Sequence, residues 1–260
     1  MTELRLIGLP NFPMVVPGDD IASLVIAAIE AMSEKIEQDD VLVIAQKIIS
    51  KAENRYLDLR TVEPSEEALA LALEVDKDPR KVQAVLNESN EVVRKRTGVL
   101  IVEQKLGFVQ ANAGIDQSNI TSDGESDDYT CLLLPIDPDL SAQNIRGAIQ
   151  DRLGLDVGVI INDSLGRAWR NGSLGLAIGV AGMTALEDYI GQKDIYGREL
   201  MVTQVAAADE MAAAASLVMG QTTELIPVVL VRGYSPREPV DEALRGVQPL
   251  IRSKDMDLFR

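Results

Sequence analysis

The segment VGVIINDSLGRAWRNG, Val157 to Gly172, decides how the chain reads. Val157 to Ile161 is an apolar run of buried-strand length. It leads without a break into Asn162-Asp163-Ser164, and Arg167 and Arg170 flank Trp169, the chain's only tryptophan. The pattern predicts a strand that ends at Ile161 and presents a carboxylate, a hydroxyl and two guanidiniums. Ends of buried strands are where α/β-type proteins place ligands.

Two other segments share this design. Val41 to Ala45 is a continuous apolar run that ends in Gln46-Lys47, with Lys51 close behind. Val99 to Glu103 and Phe108 to Ala111 read as two strands joined by a turn at Gly107, and the second runs into Asn112, Asp116 and Asn119. Turn chemistry alone explains any one such loop. Three with matched chemistry favour a site. Asp116 and Asp163 suit a hard divalent cation, with Ser164 and amide oxygens as neutral ligands. Lys47, Lys51, Arg167 and Arg170 suit phosphates. Together these suggest a metal–nucleotide site, but no GxxxxGK[ST] occurs and Gly175, Gly179 and Gly182 do not make GxGxxG, so the pattern alone reaches only an oxygen-ligated divalent metal near basic groups.

The rest of the chain predicts a mixed α+β protein. Asp19 to Ile36 has apolar residues at helical spacing. A helix opens after Ser65, another at Asp78-Pro79, and Ser141 is expected to cap one that carries Ile145, Ile149 and Leu153. Asp209 to Gly220 reads as a helix ending in glycine, and IPVVLVRG as a buried strand. GLAIGVAGM allows backbones to approach closely. Thr121 to Thr130 reads as a solvated acidic loop, the last thirty residues as peripheral, and Trp169 as packing rather than stacking.

Composition narrows the function. Hydrophobic residues are 46% and aromatic ones 3%, so the core is aliphatic. The formal net charge of −16 opposes nucleic-acid binding, and no basic stripe offsets it. With no histidine and one cysteine, Cys131, the chain offers neither a Ser-His-Asp triad nor a usual zinc site. A metal bound here would take oxygen ligands, as Mg²⁺, Mn²⁺ or Ca²⁺ do. The absence of a signal peptide, a membrane span and cysteine pairs predicts a cytoplasmic protein.

In order along the chain stand GLPNF…PGDD, VLVIAQKIISKAENR, NAGIDQSN, LLLPIDPDLSA, VGVIINDSLGRAWRNG…AIGVAG, GQKDIYGRELMVTQVAAADE and LVMGQTTELIPVVLVRG. This series resembles the coenzyme F420-0:L-glutamate ligases, or γ-glutamyl ligases, from about Leu6 to Gly233. The resemblance implies a homodimer of intertwined α+β subunits with mixed sheets. It implies one domain over residues 1–260, without the fused nitroreductase-like domain of larger relatives. It implies a GTP site from Leu9, Pro10, Asn11 and Phe12, from Gln46, Lys47 and Lys51, from Asn119, and from Met219, Gly220, Gln221, Thr222, Thr223, Glu224, Leu225 and Ile226. One Mg²⁺ or Mn²⁺ would lie on Asp116 and Asp163 and a second near Ser164 and Gln221, with a monovalent cation as a further ligand. Some relatives carry Ser-Thr in place of Gln46-Lys47.

The expected reaction attaches L-glutamate to the deazaflavin precursor F420-0, and then to its monoglutamyl form, through an acyl phosphate. Asp116, Asp163 and Lys51 are the expected catalytic residues. Arg167 and Arg170 are expected, from charge and position alone, to meet the acceptor. Two rivals stay open at this point: a metal- and nucleotide-dependent ligase or phosphotransferase with another acceptor, and a non-catalytic nucleotide-binding protein.

Overall fold

The aliphatic runs meet in one five-stranded sheet. A computed structural model describes residues 3–120, 128–235 and 246–258. The chain begins with β1 (Arg5–Gly8), α1 (Ile21–Ala31), β2 (Val41–Ala45) and α2 (Gln46–Ala52). A second group follows: β3 (Tyr56–Asp58), α3 (Glu66–Val75), α4 (Pro79–Asn87), β4 (Ser89–Arg96), β5 (Val99–Gln104), β6 (Val109–Ala111) and β7 (Thr130–Leu132). The chain returns through α5 (Pro138–Leu153) to the hairpin β8 (Gly158–Gly166) and β9 (Ser173–Ala181). It finishes with the short pair β10 (Glu187–Asp188) and β11 (Gln204–Val205), α6 (Ala207–Met219) and β12 (Val228–Arg232).

The large sheet runs β1-β12-β2-β8-β9. It is mixed: β2 and β8 are parallel, and the other neighbours are antiparallel. Side chains alternate across it as the strand period demands. Leu42, Ile44, Val159 and Ile161 pack with Val25 and Ile29 of α1, Ile49 of α2 and Ile149 of α5. Val41, Val43, Ile160 and Val229 pack on the other face with Met211, Ala212 and Ala215 of α6. Each fully buried aliphatic side chain contributes about 1.5–3 kcal/mol relative to exposure, so the two sandwiched strands, β2 and β8, anchor the site. A third cluster joins α3 and α4 to the antiparallel sheet β4-β5-β6, through Leu71, Val75, Val82, Leu100 and Val102. The short β3–β7 pair is antiparallel as well.

Local signals set most boundaries. Asp20, Ser65 and Asp78 cap α1, α3 and α4 through their side chains. α1 stops at Ala31 rather than Ile36, because Ser33 turns left-handed with φ 60°. α5 starts before Ser141. Asp137 caps it by accepting from the Leu140 N–H, Pro138 takes the first helical position, and the Ser141 hydroxyl donates back to the Asp137 carbonyl. β4 was not expected, since SNEVVRKR has no apolar alternation and is held as an edge strand by pairing with β5. The expected acidic loop lies mostly outside the described residues, and Thr130 belongs to β7. The C-terminal segment is not wholly peripheral, for Val247 is buried in the α6 cluster and its N–H donates to Asp139.

The opening segment corrects the expectation most. The strand does not end at Ile161 but continues to Gly166, paired with β9 throughout. A register shift between Ile161 and Asn162 leaves Ile178 as an extra residue on β9. Bulges of this kind re-aim the side chains that follow. Asn162, Asp163 and Ser164 therefore stand on a rigid ladder rather than in a turn.

Candidate active site

The site begins where β2 stops. Ala45 pairs in register with Asn162, and α2 starts at the next residue. One helical turn places Lys47 and Lys51 on a common side, and both line one cleft. Gln46 is buried; its amide donates to Ser50 Oγ at 2.6 Å while its Oε1 has no partner. Lys51 is only 6% exposed. Burial pulls its ammonium pKa down, and the Lys47 charge lowers it further. Among the described residues, no carboxylate forms an ion pair with Lys51.

β8 supplies the opposite charge. Asp163 is pushed up to about 6, first by burial and then by the Asp116 carboxylate beside it. Its Oδ1 accepts from the Ser164 N–H at 2.8 Å, and Ser164 Oγ lies 3.0 Å from Gln221 Oε1. Asn162 faces α6, donating to Ser216 Oγ at 3.0 Å and Met219 Sδ at 3.4 Å. Its buried Oδ1 has no hydrogen-bond partner.

Asp116 arrives from the other sheet system. Its backbone forms a two-bond bridge with Leu132 of β7, at 3.0 and 2.9 Å. Its Oδ2 lies 3.2 Å from Lys47 Nζ. Asn119, left-handed with φ 56°, donates to the Thr222 carbonyl at 3.2 Å and so ties this loop to the one after α6. Glu224 folds that second loop on itself by accepting from the Thr222 N–H at 2.8 Å.

These segments enclose a cleft of about 630 Å³. Gln46, Lys47, Lys51, Asp116, Asn119, Asp163, Ser164, Met219 and the whole run Gly220 to Ile226 line it together. Of the N-terminal four, Phe12 reaches it; Leu9 is buried in the core, and Pro10 and Asn11 are exposed outside the lining. Arg167 and Arg170 do not line it, and Arg167 Nη1 donates instead to the Gly172 carbonyl at 2.9 Å. Trp169 lies outside the core clusters and is 85% exposed. Sequence reasoning missed Ser118, Ser173 and Ser216 as lining residues. Ser216 was within reach: it lies three residues before Met219 on the inward face of α6.

The donor set suits a hard cation. Two carboxylates oppose each other across a partly buried space, and hydroxyl and amide oxygens adjoin them. Among the described residues no group of three Asp, Glu, Cys or His side chains gathers. A hard cation held by these oxygens would have further positions for water or ligand oxygens. Cys131 is fully buried, and burial raises its thiol pKa, so it offers no thiolate.

Two carboxylates and two lysines at the edges of two sheets thus line one charged cleft. The chain belongs to the F420-0:Gamma-glutamyl ligase family, whose model matches residues 10–233. It is 45% identical over 257 residues to the coenzyme F420:L-glutamate ligase of Methanothermobacter thermautotrophicus, covering 99% of each chain. Identity to the coenzyme F420:L-glutamate ligase of Methanopyrus kandleri is 42% over 260 residues, 100% of this chain and 99% of that one. The Methanocaldococcus jannaschii protein of the same name is 46% identical over 226 residues, 86% of each chain. No helix among the described residues is long and apolar enough to cross a membrane.

Proposed function

We propose that the chain joins L-glutamate to F420-0 through an amide bond, using GTP and a divalent cation, and adds a second glutamate in γ-linkage. The observation that carries this reading is the cleft in which Asp116 and Asp163 face Lys47 and Lys51. A carboxylate is a poor electrophile until one oxygen becomes a good leaving group. The acceptor carboxylate oxygen attacks the γ-phosphorus of GTP, the bond to the β-phosphate oxygen breaks, and GDP leaves. The glutamate amine then attacks the acyl carbon, phosphate departs, and the amine releases a proton to solvent.

The residues of the cleft match these needs. Lys51, buried without an acidic partner, would hold phosphate oxygens as a point charge. Lys47 would balance charge between phosphate and Asp116. Gln46 Oε1 and Asn162 Oδ1, buried and unpartnered, are acceptors for ligand N–H or O–H groups. Asp116 and Asp163 would hold Mg²⁺ or Mn²⁺, with Ser164 and Gln221 offering neutral oxygens. Such an ion, when bound, neutralises phosphate charge. A homodimer is part of this reading, and Ile195, Tyr196, Met201 and Val202, exposed between β10 and β11, support it.

The test is direct. The protein, GTP, Mg²⁺, L-glutamate and F420-0 labelled with ¹⁸O in the reacting carboxylate should yield a glutamylated product and phosphate carrying one labelled oxygen. Failure of the folded protein to form any amide would sink the ligase reading. Unlabelled phosphate accompanying each amide would sink the acyl-phosphate route alone.

A further inference from the structure

β9 is the last strand of the large sheet. An edge strand leaves part of its backbone N–H and C=O groups without a strand partner, and a buried N–H needs an acceptor. Ala177 and Val180 of β9 are 3% and 0% exposed. Each finds a carboxylate on a different helix. The Ala177 N–H donates to Asp209 Oδ1 of α6 at 2.9 Å, and the Val180 N–H donates to Asp139 Oδ1 of α5 at 2.7 Å. Burial raises the pKa of both carboxyls, so each is placed at a cost that an exposed acid would avoid.

The two bonds flank the β-bulge at Ile178. Val180 pairs with Ile160 on one side of it, and Ala177 pairs with Asn162 on the other. The site lies on the second side. β2 supports β8 only as far as Asn162, where Ala45 ends the parallel ladder. Asp163 and Ser164 pair with β9 alone, at Leu176 and Gly175. A bulge disrupts its ladder locally, so β9 needs a fixed point beyond it. Asp209 supplies one.

The ordinary reason for an acid at this position does not account for the bond. Asp209 is the third residue of α6, where a carboxylate favours the helix dipole or reaches back to the capping residue. Glu210, exposed in the same turn, serves the dipole. The Asp209 oxygen turns to β9 instead. We propose that Asp209 is a positioning residue for Asp163 and Ser164: it fixes the β9 bulge and so holds the end of β8 where both side chains line the cleft. The inference rests on the ligase reading above for what Asp163 does, which is to hold a divalent cation. How Asp163 is held rests on the strand geometry alone.

Amide hydrogen exchange, read by NMR on the full chain, tests the geometry without any ligand. In the wild type the Ala177 amide should exchange slowly. Asp209→Ala should speed exchange at least about tenfold over Asp163 to Gly166 and Ser173 to Ala177. Gly158 to Ile161 should not change, because β2 holds them. One hydrogen bond is a small part of a domain's stability, so the variant should fold. In assays it should need about tenfold more Mn²⁺ for half-maximal rate and lose about ten- to a hundredfold in kcat, the scale that a misplaced group costs, with the glutamate KM unchanged. Asp209→Asn keeps a side-chain carbonyl acceptor and should recover most of both losses. Asp139→Ala, across the bulge, should lower Tm and leave the Mn²⁺ requirement unchanged.

Unchanged exchange over Asp163 to Gly166 in Asp209→Ala would overturn the assignment. So would rapid exchange of the Ala177 amide in the wild type. An Asp209→Asn variant no better than Asp209→Ala, or an Asp139→Ala variant that shifts the Mn²⁺ requirement equally, would reduce Asp209 to a stabilising contact and also overturn it. If the wild-type chain forms no amide, the ligase reading falls, and the exchange pattern still decides the role of Asp209.

Discussion

Lys47 Nζ stands 3.2 Å from Asp116 Oδ2, and the same ammonium lies 3.2 Å from Ser118 Oγ. A positive charge therefore sits against Asp116, and it lies close enough to Asp163 to lower that carboxyl's pKa in part. A divalent cation entering the nucleotide-free cleft meets that charge. Lys47→Gln should tighten Mn²⁺ binding to the nucleotide-free protein by about three- to tenfold, a modest share of the Coulomb energy of close charges near a protein surface. Calorimetric titration with Mn²⁺ checks this, and unchanged or weaker binding would reject the balancing role.

Asp116→Asn and Asp163→Asn should each lower kcat by at least about two orders of magnitude. Preorganised electrostatic groups typically contribute that much. Both positions are held by backbone pairing, Asp116 with Leu132 and Asp163 with Leu176, so circular dichroism should stay native. Near-native turnover in both variants would remove the carboxylates from the mechanism.

Lys51→Met should separate binding from stability. A cation that is nearly buried and lacks an acidic partner weakens the fold that holds it. Replacing it by an apolar side chain of similar length should leave Tm unchanged or raise it. GTP affinity should fall at least about tenfold and glutamate affinity much less, because only the phosphates use the point charge. Calorimetry with each ligand, alongside thermal unfolding, decides the matter; undiminished GTP binding would exclude Lys51 from the phosphate site.

Gly175 lets α6 press against β9. A Cβ there would stand 2.5 Å from both the Ala212 carbonyl oxygen and Asn162 Oδ1, and would collide with Ser216 Oγ. Since one of these atoms is backbone, the helix itself must move. Gly175→Ala should cost about 1–3 kcal/mol, the usual range for overpacking. It should also raise the GTP KM, because α6 carries Met219 and Gly220 into the cleft. Urea unfolding and initial-rate kinetics test the two parts, and a variant as stable as the parent would show that the contact yields freely.

Asp20 and Arg152 tie the start of α1 to the end of α5, with an Nη2–Oδ2 distance of 2.5 Å. That contact is the main reason the Asp20 carboxyl is held near 2 rather than its usual 3.8. A depressed carboxyl pKa gives stability that is fully present above the unfolded value and lost as pH falls through the folded one. Both side chains are more than a third exposed, so solvent screening reduces the effect. Arg152→Ala should cost about 0.5–1 kcal/mol at neutral pH. The gap from the parent should narrow below pH 3.8 and close near pH 2. Urea midpoints across that range measure it, and a gap independent of pH would point to lost packing instead.

Much of this was legible in the residues themselves. The apolar runs at Val41 and Val159, the Asp78-Pro79 helix start and the glycine after Met219 are short-range signals, and each produced its element. The sequence also singled out Asp116, Asp163, Lys47 and Lys51, which the fold brings to one cleft. It misplaced the end of β8, because Asn-Asp-Ser is turn-forming in isolation and only pairing with β9 keeps it extended. It did not show that Trp169 stands largely exposed outside the core, because exposure depends on what the rest of the chain leaves uncovered.

What the sequence determined by itself is the repertoire: aliphatic strands, capped helices, oxygen ligands without imidazole, and a strongly acidic chain. Tertiary structure decided which of these groups meet. Lys47 contacts Ser118, 71 positions away, and Asn119 reaches Thr222, 103 positions away. The physical reason is range. Propensity and periodicity act over a turn or a strand. Contacts between distant segments are fixed by burying both faces of one sheet, which sets strand order and register and so brings the loops at its edge together.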